Sequence, residues 1–123
     1  MKIGELSART GVSIRSLRYY EEQGLLAPVR GDNGYREYTS FAVEQVRTIQ
    51  LYLGLGLNTE QISGFLHCVL MNNEAFCSEV LPVYKQKLSE IEEQIGVLQS
   101  IKSNLEERIQ YILNNGTKEE KFQ

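Results

Sequence analysis

The chain of 123 residues is 41% hydrophobic and 24% charged, and its net charge is −3. Its length fits one domain with a long appendage, and its composition can bury a core. It contains no apolar run near the roughly 20 residues that span a bilayer, and no signal-peptide pattern. These features disfavour membrane and secreted proteins, so a cytoplasmic protein is expected.

The net charge conceals an asymmetry along the chain. Residues 1–50 carry seven basic and six acidic side chains, whereas residues 51–123 carry six basic and ten acidic. Six of the seven N-terminal basic residues are arginines, whose planar guanidinium group suits phosphates and guanine edges. Because salt screens charges beyond about 8–10 Å, local arrangement matters more than the sum. The acidic total therefore does not exclude nucleic acid as a partner.

The first 26 residues predict a helix-turn-helix. The segment Thr10–Ser13 interrupts the apolar pattern; within it, Gly11 can take the left-handed conformation that stops a helix, and Ser13 can cap the next one. The second helix is predicted from about Ile14 to Gln23. Its inward side chains are expected to be Ile14, Leu17 and either Tyr20 or the stem of Glu21.

The opposite face of this second helix carries a polar stripe. Arg15, Arg18, Tyr19 and Glu22 lie at positions i, i+3, i+4 and i+7, so they share one side of the helix. Two arginines beside a tyrosine on so short a helix suit insertion into a DNA major groove, where they can contact bases and phosphates. A plain solvated surface is the alternative.

A wing is predicted after the two helices. Asn33-Gly34 is a strong two-residue hairpin signal, and residues 35–38 suit a short strand. On an alternating strand Arg36 and Tyr38 share one face, where a cation and a phenol could hold a phosphate backbone. A two-stranded ribbon after a helix-turn-helix predicts a winged DNA-binding domain.

Two further helices are expected to complete the core. The first runs from about Phe41 to Leu53, with Thr39 or Ser40 as its cap. The second begins at Asn58, which forms a capping-box pattern with Gln61. The apolar residues predicted to face inward are Ala42, Val46, Ile49, Leu53, Ile62, Phe65, Leu66 and Val69.

From Val80 to Leu113 apolar positions alternate in steps of three and four, which is the pattern of a coiled coil. Burying the apolar side chains of this seam would gain on the order of ten kcal/mol of hydrophobic free energy, which is lost if they stay in water. We therefore expect a second copy of the chain to cover the seam. The charges beside the seam do not decide whether the helices pair parallel or antiparallel, and the helix is expected to end at Gly116. Lys102 is the one charged seam position; the others are Leu81, Tyr84, Leu88, Ile91, Ile95, Leu98, Leu105, Ile109 and Ile112.

The two cysteines, Cys68 and Cys77, are too few and too far apart in sequence to form a disulfide framework, so free thiols in a reducing cytoplasm are expected. Together with His67 they are weak candidates for a metal or thiol-redox site. We favour a packing role for Cys68, a surface position for His67 and a relic or small cap residue at Cys77. The sequence therefore predicts neither a metal nor a cofactor.

Several strings at these positions resemble the MerR family of bacterial transcription regulators. The resemblance runs from residue 1 to about residue 70 and implies a mainly α fold, in which a winged helix-turn-helix domain is followed by a long dimerisation helix. The strings that carry it are Met1–Leu6, Thr10–Ser13, Leu17-Arg18-Tyr19-Tyr20-Glu21, Gly24–Leu26 and Asn33-Gly34-Tyr35-Arg36-Glu37-Tyr38.

The resemblance also implies a mechanism. Members pair through an antiparallel coiled coil and bind a pseudo-palindromic operator. The operator lies between two promoter elements that are spaced too far apart, and the protein distorts this DNA so that RNA polymerase can engage both elements. Matched position by position, Arg18 and Tyr19 would contact DNA from the recognition helix, and Arg36 and Tyr38 from the wing. Tyr20 belongs to the same string and could instead lie in the core, while Arg15 follows from the stripe alone.

The effector is not identified by the resemblance. Metal-sensing members carry a cysteine where Cys77 stands and further cysteines in a loop beyond the dimerisation helix, but no Cys or His follows Ile112 here, so the thiolate pair that a soft metal needs is missing. The ten residues after Leu113 cannot form a ligand domain. We therefore expect an unknown small-molecule effector, with a thiol- or metal-responsive regulator using Cys68 and Cys77 as an alternative.

Another alternative is a coiled-coil interaction adaptor that does not read DNA. An enzyme is disfavoured, because the chain has one histidine and no catalytic or phosphate-binding motif at usable spacing. The predicted organisation is a DNA-binding domain over residues 1–75, a dimerisation helix over 76–113 and a polar tail over 114–123.

Overall fold

The computed structural model describes residues 1–31 and 34–120, and its architecture is mainly helical. None of the described helices combines the length and the apolarity that crossing a membrane requires. A 3₁₀ turn, Glu74–Phe76, precedes the last helix. In chain order the elements are α1 (Ile3–Thr10), α2 (Ile14–Glu22), β1 (Val29–Arg30), β2 (Arg36–Glu37), α3 (Phe41–Gly54), α4 (Thr59–Met71) and α5 (Val80–Glu120).

The turn between α1 and α2 forms as predicted. Gly11 has φ +74°, and its amide donates to the Ser7 carbonyl at 2.9 Å. The Ser13 side chain caps α2 by accepting from the Ser16 amide at 3.1 Å. Ile14, expected inside, is instead 39% exposed, because it is the first residue of α2 and the buried stripe begins one turn later at Leu17.

Helices α3 and α4 pack against each other and against α1 and α2 around one apolar core. The capping box at α4 is confirmed: Asn58 Oδ1 accepts from the Gln61 amide at 2.8 Å, and the Gln61 side chain accepts from the Asn58 amide at 2.9 Å. Ser40 does not cap α3 with its side chain, since its own backbone is already helical. The largest of the fully buried side chains are Leu6, Leu17, Val46, Ile49, Tyr52, Ile62 and Phe65.

The wing is a two-stranded antiparallel ribbon in which Arg30 lies opposite Arg36 and Val29 opposite Glu37. The Gly31 amide also donates to the Tyr35 carbonyl at 3.0 Å, so the paired part of the ribbon extends one residue beyond each strand. Gly34 has φ +79°, while Asn33 lies outside the described residues. Beyond β2, the backbones of Tyr38 and Met1 exchange two hydrogen bonds, at 2.7 and 2.8 Å, which join the wing to the start of α1.

Helix α5 is 41 residues long and continues past Gly116, where we expected it to end. Gly116 does not take a positive φ, and an interior glycine costs a helix only about 1 kcal/mol relative to alanine, which a long, already propagated helix tolerates. The chain divides into two compact units, Met1–Lys85 and the part of α5 from Gln86 onward. In the single chain the seam is open to solvent beyond the half-buried Tyr84, with Leu98 64% exposed.

The two cysteines are joined by a disulfide, contrary to our expectation of free thiols. Cys68 lies in the last turn of α4, and Cys77 directly follows the 3₁₀ turn. The chain reverses direction between them, so that their Cα atoms are 5.9 Å apart despite a sequence separation of nine. Sequence spacing alone does not show this reversal. His67, the neighbour of Cys68, is exposed, as expected.

Candidate nucleic-acid interface

The outward face of α2 carries the predicted stripe. Arg15, Arg18, Tyr19 and Glu22 are all exposed, with 47% of the Tyr19 surface open to solvent. Leu17 on the opposite face is fully buried. The predicted exposure of these four residues is confirmed, and contact with DNA stays a prediction.

Tyr20 belongs to the core and not to this stripe. It is 6% exposed and lies one helical turn from Leu17 on the buried face of α2. Burial raises the pKa of its phenol, so the side chain stays neutral. Of the two roles considered for Tyr20, the structure supports packing.

On the wing, one carboxylate holds both predicted residues. Glu21, at the end of α2, accepts a hydrogen bond from Arg36 Nη1 at 2.9 Å through Oε2 and one from the Tyr38 hydroxyl through Oε1. The Glu21 side chain is 11% exposed, whereas that of Arg36 is 57% exposed. Charge-assisted hydrogen bonds are roughly twice as strong as neutral ones, so this contact fixes the wing relative to α2.

Tyr38 does not present an exposed phenol beside Arg36, contrary to prediction. It is 3% exposed, and its hydroxyl is bonded to Glu21. Arg36 and Tyr38 do turn to the same side, as predicted, since both bond the Glu21 carboxylate, but that side faces the end of α2, where the phenol is covered. Tyr38 is therefore a core residue that supports the wing, and its side chain is not part of the exposed surface.

A groove between α2 and the wing gathers the cations of this region. Its cavity of about 480 Å³ is lined by Arg18 from α2 and by Arg30 and Arg36 from the two strands, with Glu21 and Glu22 among its other walls. We call it the arginine groove. A second cavity, of about 240 Å³, is also bordered by Arg18 and Arg36 and adds Lys2. Arg18 and Arg36 therefore line the space between the recognition helix and the wing.

Three residues of this surface were missed by sequence reasoning. Arg30 is brought opposite Arg36 by the strand register, and a hairpin pairing worked out from the sequence could have found it. Lys2 places Nζ 5.4 Å from the centre of the Tyr35 ring, which positions a cation beside the wing. No sequence pattern predicted the role of Glu21, because its hydrogen-bond partners lie 15 and 17 residues away in the chain.

This arrangement suits a duplex. A short helix with exposed arginines matches a major groove, while guanidinium groups on a ribbon match the neighbouring phosphates. Among residues 1–31 and 34–120, no group of three or more His, Cys, Asp or Glu side chains could hold a metal ion.

Comparisons with known proteins agree with this geometry. The family model described as "MerR family regulatory protein" matches residues 2–38, a range that holds α1, α2 and the wing. The "HTH-type transcriptional regulator HmrR" of Rhizobium leguminosarum bv. viciae is 36% identical over 106 residues, which cover 86% of this chain and 81% of that protein.

Two solved structures share the fold. The transcription regulator PbrR691 from Ralstonia metallidurans CH34, in complex with lead(II), superimposes with a TM-score of 0.74 at 23% identity, covering 85% of this chain and 81% of that one. HiNmlR, a MerR family regulator lacking the sensor domain and bound to promoter DNA, gives a TM-score of 0.57 at 22% identity, with coverages of 81% and 76%. By its likeness to HmrR over most of both chains, this protein belongs to the MerR family of regulatory proteins.

Proposed function

We propose that this protein is a sequence-specific DNA-binding transcriptional regulator that acts as a homodimer on a pseudo-palindromic promoter operator. The observation that carries the proposal is the arginine groove, where Arg18 of an exposed helix face meets the Glu21-held Arg36 of the wing. The regulator works in the cytoplasm, where a bacterial chromosome lies, and carries out no catalysis.

In this proposal α2 enters the major groove. Arg18 and Tyr19 face the base edges and the nearby backbone, with Arg15 one turn earlier on the same stripe. The ribbon brings Arg36 to the phosphate strand beside that groove. Each half of the dimer contacts one half-site, which makes the operator a dyad.

The regulatory step is the distortion of DNA between the half-sites. Bending and untwisting an operator costs on the order of 1–6 kcal/mol, which the phosphate contacts of two protomers can offset. A distorted promoter spacer then alters how RNA polymerase engages the promoter. The effector is an unidentified small molecule, and metal sensing through Cys68 and Cys77 is not favoured, because no further His, Cys, Asp or Glu side chain among the described residues completes a metal site with them.

Selection of binding sites from random duplexes tests this function. The purified dimer should enrich one inverted repeat whose half-site centres are separated by about one helical turn of DNA or a multiple of it. Enrichment of a single undivided site would contradict the dimeric arrangement. Failure to enrich any sequence would contradict specific recognition.

Arg18→Ala tests the recognition helix. If Arg18 contacts a base edge, the substitution should weaken binding to the selected operator by about 1–3 kcal/mol and leave binding to random DNA nearly unchanged. An equal loss on both DNAs would assign Arg18 to a phosphate, and no loss on either would contradict the assignment of α2. Arg47→Ala, which removes an exposed arginine of α3 that lines neither cavity, is the matched control.

A further inference from the structure

The segment that connects α4 to α5 is closed by the Cys68–Cys77 disulfide. A backbone hydrogen bond holds the chain locally at each cysteine. The Asn72 amide donates to the Cys68 carbonyl at 2.8 Å, and the Cys77 amide donates to the Glu74 carbonyl at 3.0 Å. These local bonds do not depend on the disulfide, and closing a loop of nine residues costs little chain entropy, so the bond can form and break reversibly.

We propose that Cys68 and Cys77 are a redox-sensitive pair that reacts with low-molecular-weight disulfides, and that the state of the pair changes how the protein acts on DNA. The second half of this inference rests on the proposed function. A protein that works on the bacterial chromosome meets a reducing environment, where disulfides are rare and those present are usually transient or redox-sensing. The pair is therefore reduced at rest and bonded under oxidative stress.

The chemistry is a two-electron exchange with glutathione disulfide as the representative oxidant. Cys68 is the more exposed of the two residues, so its thiolate attacks the small disulfide, forms a mixed disulfide and releases one glutathione thiolate. The Cys77 thiolate then attacks the Cys68 sulfur and releases the second. Two cysteine thiols are oxidised, one glutathione disulfide is reduced to two thiols, and the two cysteine protons pass to them.

The closed loop carries the group that links this pair to the core. Glu74 lies between the cysteines, and its Oε2 accepts hydrogen bonds from the Tyr52 hydroxyl of α3 at 3.0 Å and from the Tyr84 hydroxyl of α5 at 2.8 Å. The disulfide thus restrains the carboxylate that joins α3 to the first turns of α5. When the disulfide opens, the loop that contains Glu74 becomes more mobile, and the contact that Glu74 makes between α3 and α5 weakens.

Counting thiols tests the first half of the inference without DNA. The full chain is equilibrated with glutathione redox mixtures, quenched with acid, alkylated and weighed. We expect conversion from two alkylated cysteines to none, at a mass about 2 Da lower before alkylation and with no glutathione retained. Two thiols that stay free at every ratio, a bond that persists at every ratio, or retained glutathione would each overturn the proposal.

Binding to the selected operator tests the second half. The operator Kd, or the end-to-end energy transfer of the bound duplex, should differ between oxidised and reduced wild type by more than about threefold, a threshold just below the range of typical allosteric couplings. In Cys68→Ser and Cys77→Ser the difference should vanish, with both variants behaving like the reduced protein. A wild-type difference below threefold in both readouts, or one that persists in the serine variants, would overturn it.

Glu74→Ala tests the route of the coupling. The variant should respond to oxidation by less than about threefold, while Glu79→Ala, which removes an exposed carboxylate nearby in the same segment, should respond like wild type. An undiminished response in Glu74→Ala would overturn the link through Glu74. If neither redox state binds any duplex, the proposed function fails together with the DNA half of the inference, and the thiol count still decides the first half.

Discussion

At the scale of single residues, Glu21 organises the DNA-facing surface although it is not expected to touch DNA. It accepts from Arg36 on the wing and from the buried hydroxyl of Tyr38. A buried hydroxyl without an acceptor costs about 1–3 kcal/mol, so the pairing with Tyr38 stabilises the fold, while that with Arg36 aims an exposed cation. The carboxylate thereby joins a packing residue to a binding residue.

Two substitutions separate these roles. Tyr38→Phe should lower the free energy of unfolding by about 1 kcal/mol through the lost hydrogen bond, and leave operator affinity within about twofold, since the phenol is buried. Arg36→Ala should weaken operator and random duplex alike by about 1–3 kcal/mol, because a phosphate contact carries no sequence information. Urea unfolding and fluorescence anisotropy measure the two effects. A tenfold loss of operator affinity in Tyr38→Phe would show instead that the Tyr38 hydroxyl contributes to DNA binding.

At the scale of elements, α3, the 3₁₀ turn and the start of α5 meet in a cluster of two phenols and one carboxylate. The rings of Tyr52 and Tyr84 are 6.3 Å apart, and Tyr52 also stacks edge-on against Phe65 at 4.9 Å. Burial raises the pKa of Tyr52 above its ordinary value of 10.0, and hydrogen bonding with Tyr84 and Glu74 raises it further. Burial also raises the pKa of Tyr84, an effect that hydrogen bonding with Tyr52 partly offsets.

This cluster predicts a loss of stability at alkaline pH. Above about pH 10 the unfolded chain releases its tyrosine protons while the folded chain retains them, so the unfolded state binds fewer protons and the free energy of unfolding falls as pH rises. Below pH 10 these two groups contribute no slope. Tyr52→Phe should make the fall between pH 10 and 11 shallower, as followed by urea unfolding.

Tyr19→Phe, which changes an exposed phenol, is the control and should keep the wild-type pH dependence. A slope in Tyr52→Phe equal to that of wild type would show that the buried phenol does not contribute to alkaline unfolding.

Elements fixed by neighbouring residues could be predicted from the sequence, and contacts between distant ones could not. The Gly11 turn, the Ser13 cap and the Asn58 capping box each need only three or four adjacent residues to form. The Cys68–Cys77 bond and the placement of Tyr38 depend on how the chain folds back, which no local pattern records. The arginine stripe of α2 was found because helical periodicity determines it.

At the scale of the whole molecule, the seam of α5 is an extended apolar surface left uncovered in the single chain. Eight of its aliphatic positions are exposed, and Lys102, which pairs with Glu106 at 3.5 Å, interrupts them. A charged residue at one seam position lowers the stability of a coiled coil while specifying its register. The proposed regulator requires a second copy of the chain to cover this face.

Two opposite substitutions test that pairing. Leu98→Lys should raise the dimer dissociation constant, with a loss of association free energy of roughly 3 kcal/mol or more, since both protomers lose a buried leucine. Lys102→Leu, four residues further along the same face, should lower it. Analytical ultracentrifugation measures both. A wild-type chain that remains a monomer at micromolar concentration would contradict the homodimer and favour an adaptor whose seam pairs with another protein.

The most direct test of the whole account is the salt dependence of duplex binding by the wild-type dimer. If Arg15, Arg18 and Arg36 of both protomers neutralise phosphates or lie beside them, log K should fall against log salt with a slope of about −4 or steeper. Arg36→Ala should make that slope shallower. A protein that binds no duplex at low ionic strength, or whose binding is indifferent to salt, would contradict DNA recognition by the arginine groove.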